Sequence, residues 1–167
     1  MKQRNGLLGF VDRLLGQLLA LLMLVMVISV AWQVLSRYLF VVPAAWTEEL
    51  ARFLLIWIGM LGAAYAYRHG SHIGLDLLPG RLQGEQKTRL IRLTHFVCLA
   101  FALTVMVLGG GALMSLTWEL RQYSAAMGLP VAVVYAVIPA SGLLICLYAL
   151  AGMRDGDDHA LAGHGDV

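Results

Sequence analysis

Between Arg13 and Arg37 the chain carries no charged side chain, and three more stretches approach that character: Phe53 to Tyr67, Arg92 to Glu119, and Arg121 to Arg154. A bilayer core is crossed by about 20 apolar residues rising ~1.5 Å each, so the first, third and fourth stretches are long enough to span it. Phe53 to Tyr67 reaches only about 22 Å. To cross, the second helix must take in Thr47 through Arg52, which brings Glu48, Glu49 and Arg52 to the membrane boundary. A chain that is 60% hydrophobic and 13% charged is not an ordinary soluble domain. The expected fold is all-α: an integral membrane protein whose four transmembrane helices occupy about residues 12–37, 47–68, 88–118 and 129–153 of a membrane domain ending at 154.

Basic residues orient the helices, because Lys and Arg favour the cytoplasmic side. Lys2, Arg4 and Arg13 precede the first helix, Arg68, Arg81, Lys87, Arg89 and Arg92 lie between the second and third, and Arg154 follows the fourth. The other side holds Arg37, Arg52 and Arg121. Both termini are therefore expected in the cytoplasm. The net charge of +2 is explained by topology and implies no nucleic acid. The first apolar run outlasts the roughly 7–15 residues of a signal-peptide core, so it is expected to stay as a helix despite a processing-like Ser29-Val30-Ala31. Cys98 and Cys146 read as small apolar packing residues, with no disulfide or metal framework.

The 68–92 connection mixes charges with leucines and is broken by Pro79-Gly80, so it is expected along the cytoplasmic surface. Pro130 suits a first helical turn, whereas Pro139 removes an amide donor within the fourth helix and predicts a kink. Residues 155–167 are rich in Gly, Asp and His and are expected to form a disordered cytoplasmic tail.

At 100° per residue, Glu48, Glu49, Arg52, Gly59, Ala63 and Ala66 share one side of the second helix. Small residues admit a neighbouring helix, and ionisable side chains in membrane helices face protein, so this side is expected to be buried against other helices. Glu48 and Glu49 stand four and three residues before Arg52 and can pair with it, with Arg37 near enough in sequence to join. Two readings follow: a charge network that fixes helix depth, or one that grips a partner subunit or lipid headgroup. At the other end, His69, His72 and Asp76 have helical spacing, but Gly70 and Gly74 interrupt it and three ligands make a weak metal signal. A bend stabilised by His72 or Asp76 is the expected reading. His95 alone reads as an interfacial polar residue; a haem ligand would need a facing histidine. Trp32, Trp46 and Trp118 read as interfacial anchors. No catalytic group, cofactor or nucleotide loop is expected, and the chain does not read as an enzyme.

Trp46, Glu48, Glu49 and Arg52, then Trp57 and Gly62-Ala63-Ala64, then Arg68, Gly70, His72-Ile73 and Asp76 closely resemble the second-helix pattern of the small membrane (Q) subunit of tripartite ATP-independent periplasmic (TRAP) transporters. The resemblance implies a bacterial inner-membrane location and assembly with a large membrane (M) subunit that holds the substrate and sodium sites. It also implies a periplasmic substrate-binding (P) protein that delivers an organic acid, such as a dicarboxylate, sugar acid or sialic acid. Transport would be driven by an ion gradient, with the small subunit as a static scaffold surrounded by membrane lipids. Arg37, Trp46, Glu48, Glu49, Arg52, Gly59, Ala63, Arg68, His72 and Asp76 become the candidate contact residues. Two other classes remain open, a respiratory-complex membrane anchor and a small four-helix efflux transporter. Against the latter, the large polar groups of the first helix are only Gln17 and Gln33.

Overall fold

A computed structural model of the chain describes residues 6–39, 45–69 and 85–162. The structured elements are α1 (Leu7–Leu39), α2 (Ala45–Arg68), α3 (Glu85–Phe101), a π-helical segment (Ala102–Gly109), α4 (Gly110–Glu119), α5 (Val131–Tyr135) and α6 (Val137–Ala162). Among the described residues there is no β-strand, and four segments are long and apolar enough to cross a membrane: Leu8–Leu39, Ala45–Arg68, Arg92–Glu119 and Val131–Met153. The fold is thus all-α with four candidate spans. Two compact units divide the chain, one of Met1–Tyr65 with Leu113–Val137 and the other of Ala66–Ala112 with Ile138–Val167.

In the first unit α1 and the adjoining part of α2 run antiparallel. Gly16 lies against the Tyr65 ring, while Ser29 Oγ, thirteen residues later in the direction of the chain, donates to the Thr47 carbonyl at 3.4 Å. Thr47 and Ala64 are fully buried and Leu54 and Leu61 largely so, and one stripe of α2 at helical spacing thus forms the internal face. Most of α1 is bare. Leu14, Leu21, Leu24, Val27, Ile28 and Leu35 are exposed, an apolar surface suited to hydrocarbon or to another membrane helix.

The second unit is built on glycine. A Cβ at Gly142 would come 2.7 Å from Met106 Cβ and 3.3 Å from the Ala102 carbonyl, and one at Gly110 would come 2.7 Å from Ile138 Cγ2. Lipid tails give no hydrophobic preference for helix contact, so close backbone approach at small residues supplies the packing. The π-helical segment lies at this contact and buries Ala102 and Met106. Wider turns of this kind are uncommon and interrupt the normal i→i−4 ladder.

The helix after Pro130 is interrupted at Ala136, three residues before Pro139, where the missing proline donor and the ring's clash with the preceding turn break the ladder. Beyond it, α6 continues to Ala162, including residues 155–162, where composition predicted disorder.

Candidate interaction site

Glu48 and Glu49 are sequence neighbours that do different work. The Glu48 carboxylate receives Arg52 Nη2 at 3.2 Å, an i, i+4 pair with both side chains about two-thirds exposed (65% and 67%). Below it, Gly59 and Ala63 are also exposed, and a Cβ at Gly59 would meet nothing within 4 Å. Glu48, Arg52, Gly59 and Ala63 therefore lie open within the chain rather than buried against its other helices as expected, whereas Ala66 is half-buried. Leu54, Leu61 and Ala64, on the other stripe, make the internal packing. Trp46 is exposed at the start of the helix. Arg37 is exposed in the last turn of α1 and forms no ion pair with Glu48 or Glu49.

Glu49 turns instead to the segment between α4 and α5. Its Oε1 accepts the Ala125 amide at 3.0 Å, and its Oε2 accepts the Ala126 and Met127 amides, each at 3.0 Å, together with the Ser124 hydroxyl. Three successive N–H groups converging on one carboxylate form an anion-holding turn, here filled by the protein's own side chain. Ser124 Oγ also accepts the Met127 amide at 3.2 Å, and Gly128 closes the turn by donating to the Ser124 carbonyl at 3.0 Å with φ +65°. A left-handed residue ending a helical turn is most readily glycine. Around this turn Ser124 N–H bonds the Leu129 carbonyl and Val131 N–H the Gln122 carbonyl, both at 2.9 Å, with Tyr123 and Pro130 bridged. Glu49 thus ties α2 to the 121–130 connection.

In the second unit, Tyr67 Oη lies 2.7 Å from His95 Nδ1 with the rings edge to face. The His95 ring packs on Gly152, where a Cβ would come 2.7 Å from Cε1. Arg68 lies with its guanidinium 5.8 Å from the Tyr148 ring centre, a cation–π contact. Cys98 and Cys146 are free thiols. His72 and Asp76 fall outside the described residues, as does the Pro79-Gly80 break.

Sequence spacing brought Glu48 and Arg52 together but missed Ser124 through Met127, which lie about 75 positions from Glu49. The available signal was the turn-forming Ser124 and Gly128 around three residues with free amides. Tyr67 was hidden in an apolar run, and His95 gave no hint of its partner.

Four segments long and apolar enough to cross a membrane, among the described residues, define a multi-pass membrane protein. The profile of the DctQ component of tripartite ATP-independent periplasmic transporters matches residues 12–156, and the chain belongs to that family of transporter subunits, which are not enzymes. It is 30% identical over 106 residues to the C4-dicarboxylate TRAP transporter small permease protein DctQ of Rhodobacter capsulatus, covering 60% of this chain and 44% of that protein. It is 32% identical over 149 residues to the isethionate TRAP transporter permease protein DctMQ of Oleidesulfovibrio alaskensis, covering 84% of this chain and 23% of that protein. A putative TRAP transporter small permease protein of Haemophilus influenzae is 26% identical over 141 residues, covering 84% of this chain and 86% of that protein. The match therefore spans less than half of each of the first two relatives.

Proposed function

We propose that this chain is the static scaffold of a TRAP-type secondary transporter and binds a large membrane subunit through the open side of α2. The observation that carries the reading is the exposed stripe of Glu48, Arg52, Gly59 and Ala63, which no part of this chain covers among the described residues. In a bilayer, small residues let a second helix approach, and a charge pair at the boundary is favoured where it meets protein or headgroups. The alignment with part of a much longer DctMQ permease supports a partner in the same membrane. In this reading the large subunit couples substrate uptake to the downhill flow of an ion, sodium being the family expectation, and a periplasmic binding protein delivers the substrate. Both termini lie in the cytoplasm, following the Lys and Arg distribution. The substrate is an organic acid. Two of the three relatives carry a substrate in their names, C4-dicarboxylate in one and isethionate in the other, so selectivity is assigned to the partner proteins.

The test uses Gly59→Trp and Ala63→Leu in the full chain, co-expressed with the large subunit. Neither position is packed within this chain, so membrane insertion should be normal while co-purification and uptake fall together. An intact complex with normal uptake in the double variant would show that this side is not the docking surface.

A further inference from the structure

The end of the third span carries a cleft that scaffold docking does not use. It encloses about 250 Å³ and is lined by Thr117, Trp118, Arg121, Gln122, Tyr123 and Pro130. Trp118, Arg121, Gln122 and Tyr123 all bring hydrogen-bond donors, and Thr117 turns its own hydroxyl to the Leu113 and Met114 carbonyls at 2.9 and 3.0 Å. Among the described residues no carboxylate lines the cleft. Arg121 is exposed and forms no ion pair or side-chain hydrogen bond among the described residues.

Its backbone adds a second observation. Gln122 N–H bonds the Thr117 carbonyl at 3.2 Å and Arg121 N–H the Trp118 carbonyl at 3.1 Å, the paired bonds that close a helix with a left-handed residue. That residue is Arg121, with φ +49°, the one described non-glycine residue at positive φ. Glycine is the ordinary occupant of this position because a Cβ is strained there. Placing an arginine there keeps a cation at the mouth of the cleft at a conformational cost, a pattern that points to use of the side chain. The walls are held as well: the Tyr123–Pro130 bridge and the Val131–Gln122 bond close the connection that Glu49 pins.

We infer that this cleft binds the phosphodiester of a membrane phospholipid, with Arg121 as the principal donor. A planar guanidinium presents paired N–H groups to two phosphate oxygens, and the neighbouring donors fit the remaining ones. The location selects a lipid over a free anion. The cleft lies where the Arg92–Glu119 span ends and the Val131–Met153 span begins, which is headgroup depth. On the adjoining stripe, Leu113, Leu116 and Leu120 are exposed and offer a track for an acyl chain.

The test titrates the purified full chain in detergent with dioleoyl phosphatidylglycerol and counts retained lipid by native mass spectrometry. Arg121→Gln removes the cation, and Arg121→Gly removes it while relieving the backbone. One retained lipid is expected, with affinity falling about 10-fold in both variants, as for loss of a charge-assisted contact. Arg121→Gly should hold or raise thermal stability, which separates lost binding from misfolding. Millimolar glycerophosphate should fail to displace the lipid, and dioleoylglycerol, lacking phosphate, should not be retained. Equal retention by both variants would overturn the assignment. So would displacement by glycerophosphate, which would indicate a free-anion site, or retention of dioleoylglycerol, which would remove any role for phosphate.

Discussion

Gly142→Ala is a one-carbon test of how the second unit is packed. The added Cβ would lie 2.7 Å from Met106 Cβ, 3.1 Å from Val107 Cγ2 and 3.3 Å from the Ala102 carbonyl. Carbon atoms rest at about 3.5–4.0 Å, so the first contact is short by about 1 Å, and the atom it meets is fixed to the backbone. The side chain cannot swing away, and the helices must part. Overpacking of this kind costs about 1–3 kcal/mol, against which a Gly-to-Ala change inside a helix returns up to about 1 kcal/mol. The net loss is expected at about 1–2 kcal/mol. Gly111→Ala is the internal control, because a Cβ there meets nothing within 4 Å and only the propensity gain applies. Thermal unfolding in detergent, followed by size-exclusion chromatography, should place Gly142→Ala below the parent and Gly111→Ala at or above it. Met106→Gly should partly restore the Gly142→Ala variant, giving a coupling of about 1 kcal/mol in the double-mutant cycle. If Gly142→Ala matched Gly111→Ala, the close approach at Gly142 would not exist.

Glu49→Gln replaces one acceptor oxygen with a donor, so the amides of Ala125, Ala126 and Met127 should exchange hydrogen faster while α2 amides are unchanged; unaltered exchange there would refute the clamp. Tyr67→Phe leaves His95 Nδ1 without its hydroxyl and is expected to lower stability by about 1 kcal/mol, whereas an unchanged melting temperature would remove that bond from the account. Breaking the exposed Glu48–Arg52 pair with Arg52→Ala should cost under ~0.5 kcal/mol of chain stability yet weaken recovery of the large subunit, and equal recovery would assign the pair to surface solvation alone.

Four spans were legible in the sequence because membrane helices satisfy their backbone internally and announce themselves by length and hydropathy. The second was legible with its charges included, since Phe53 to Tyr67 is too short to cross unaided. Helical spacing also found the Glu48–Arg52 pair and the proline that accompanies the break at Ala136. It misjudged the two adjacent glutamates as one network: a helical wheel fixes direction at the backbone, but Glu49 finds its partners in a distant turn. The π-helical segment was equally silent, because Ala102 to Gly109 has the composition of any apolar helix; its buried residues Ala102 and Met106 lie at the close contact with Gly142. Arg121 was legible only as a charge; its left-handed backbone required the cap geometry.

The central claim is that the open side of α2 meets the large subunit, and site-specific photo-crosslinking measures this directly. A photoreactive residue placed at Gly59 or Ala63, exposed within this chain, should capture the large subunit in native membranes, while one at Ala64, fully buried within it, should not. Capture of the large subunit from exposed α1 positions such as Leu24 and Ile28, with none from Gly59 or Ala63, would contradict the account and move the docking surface to the first helix.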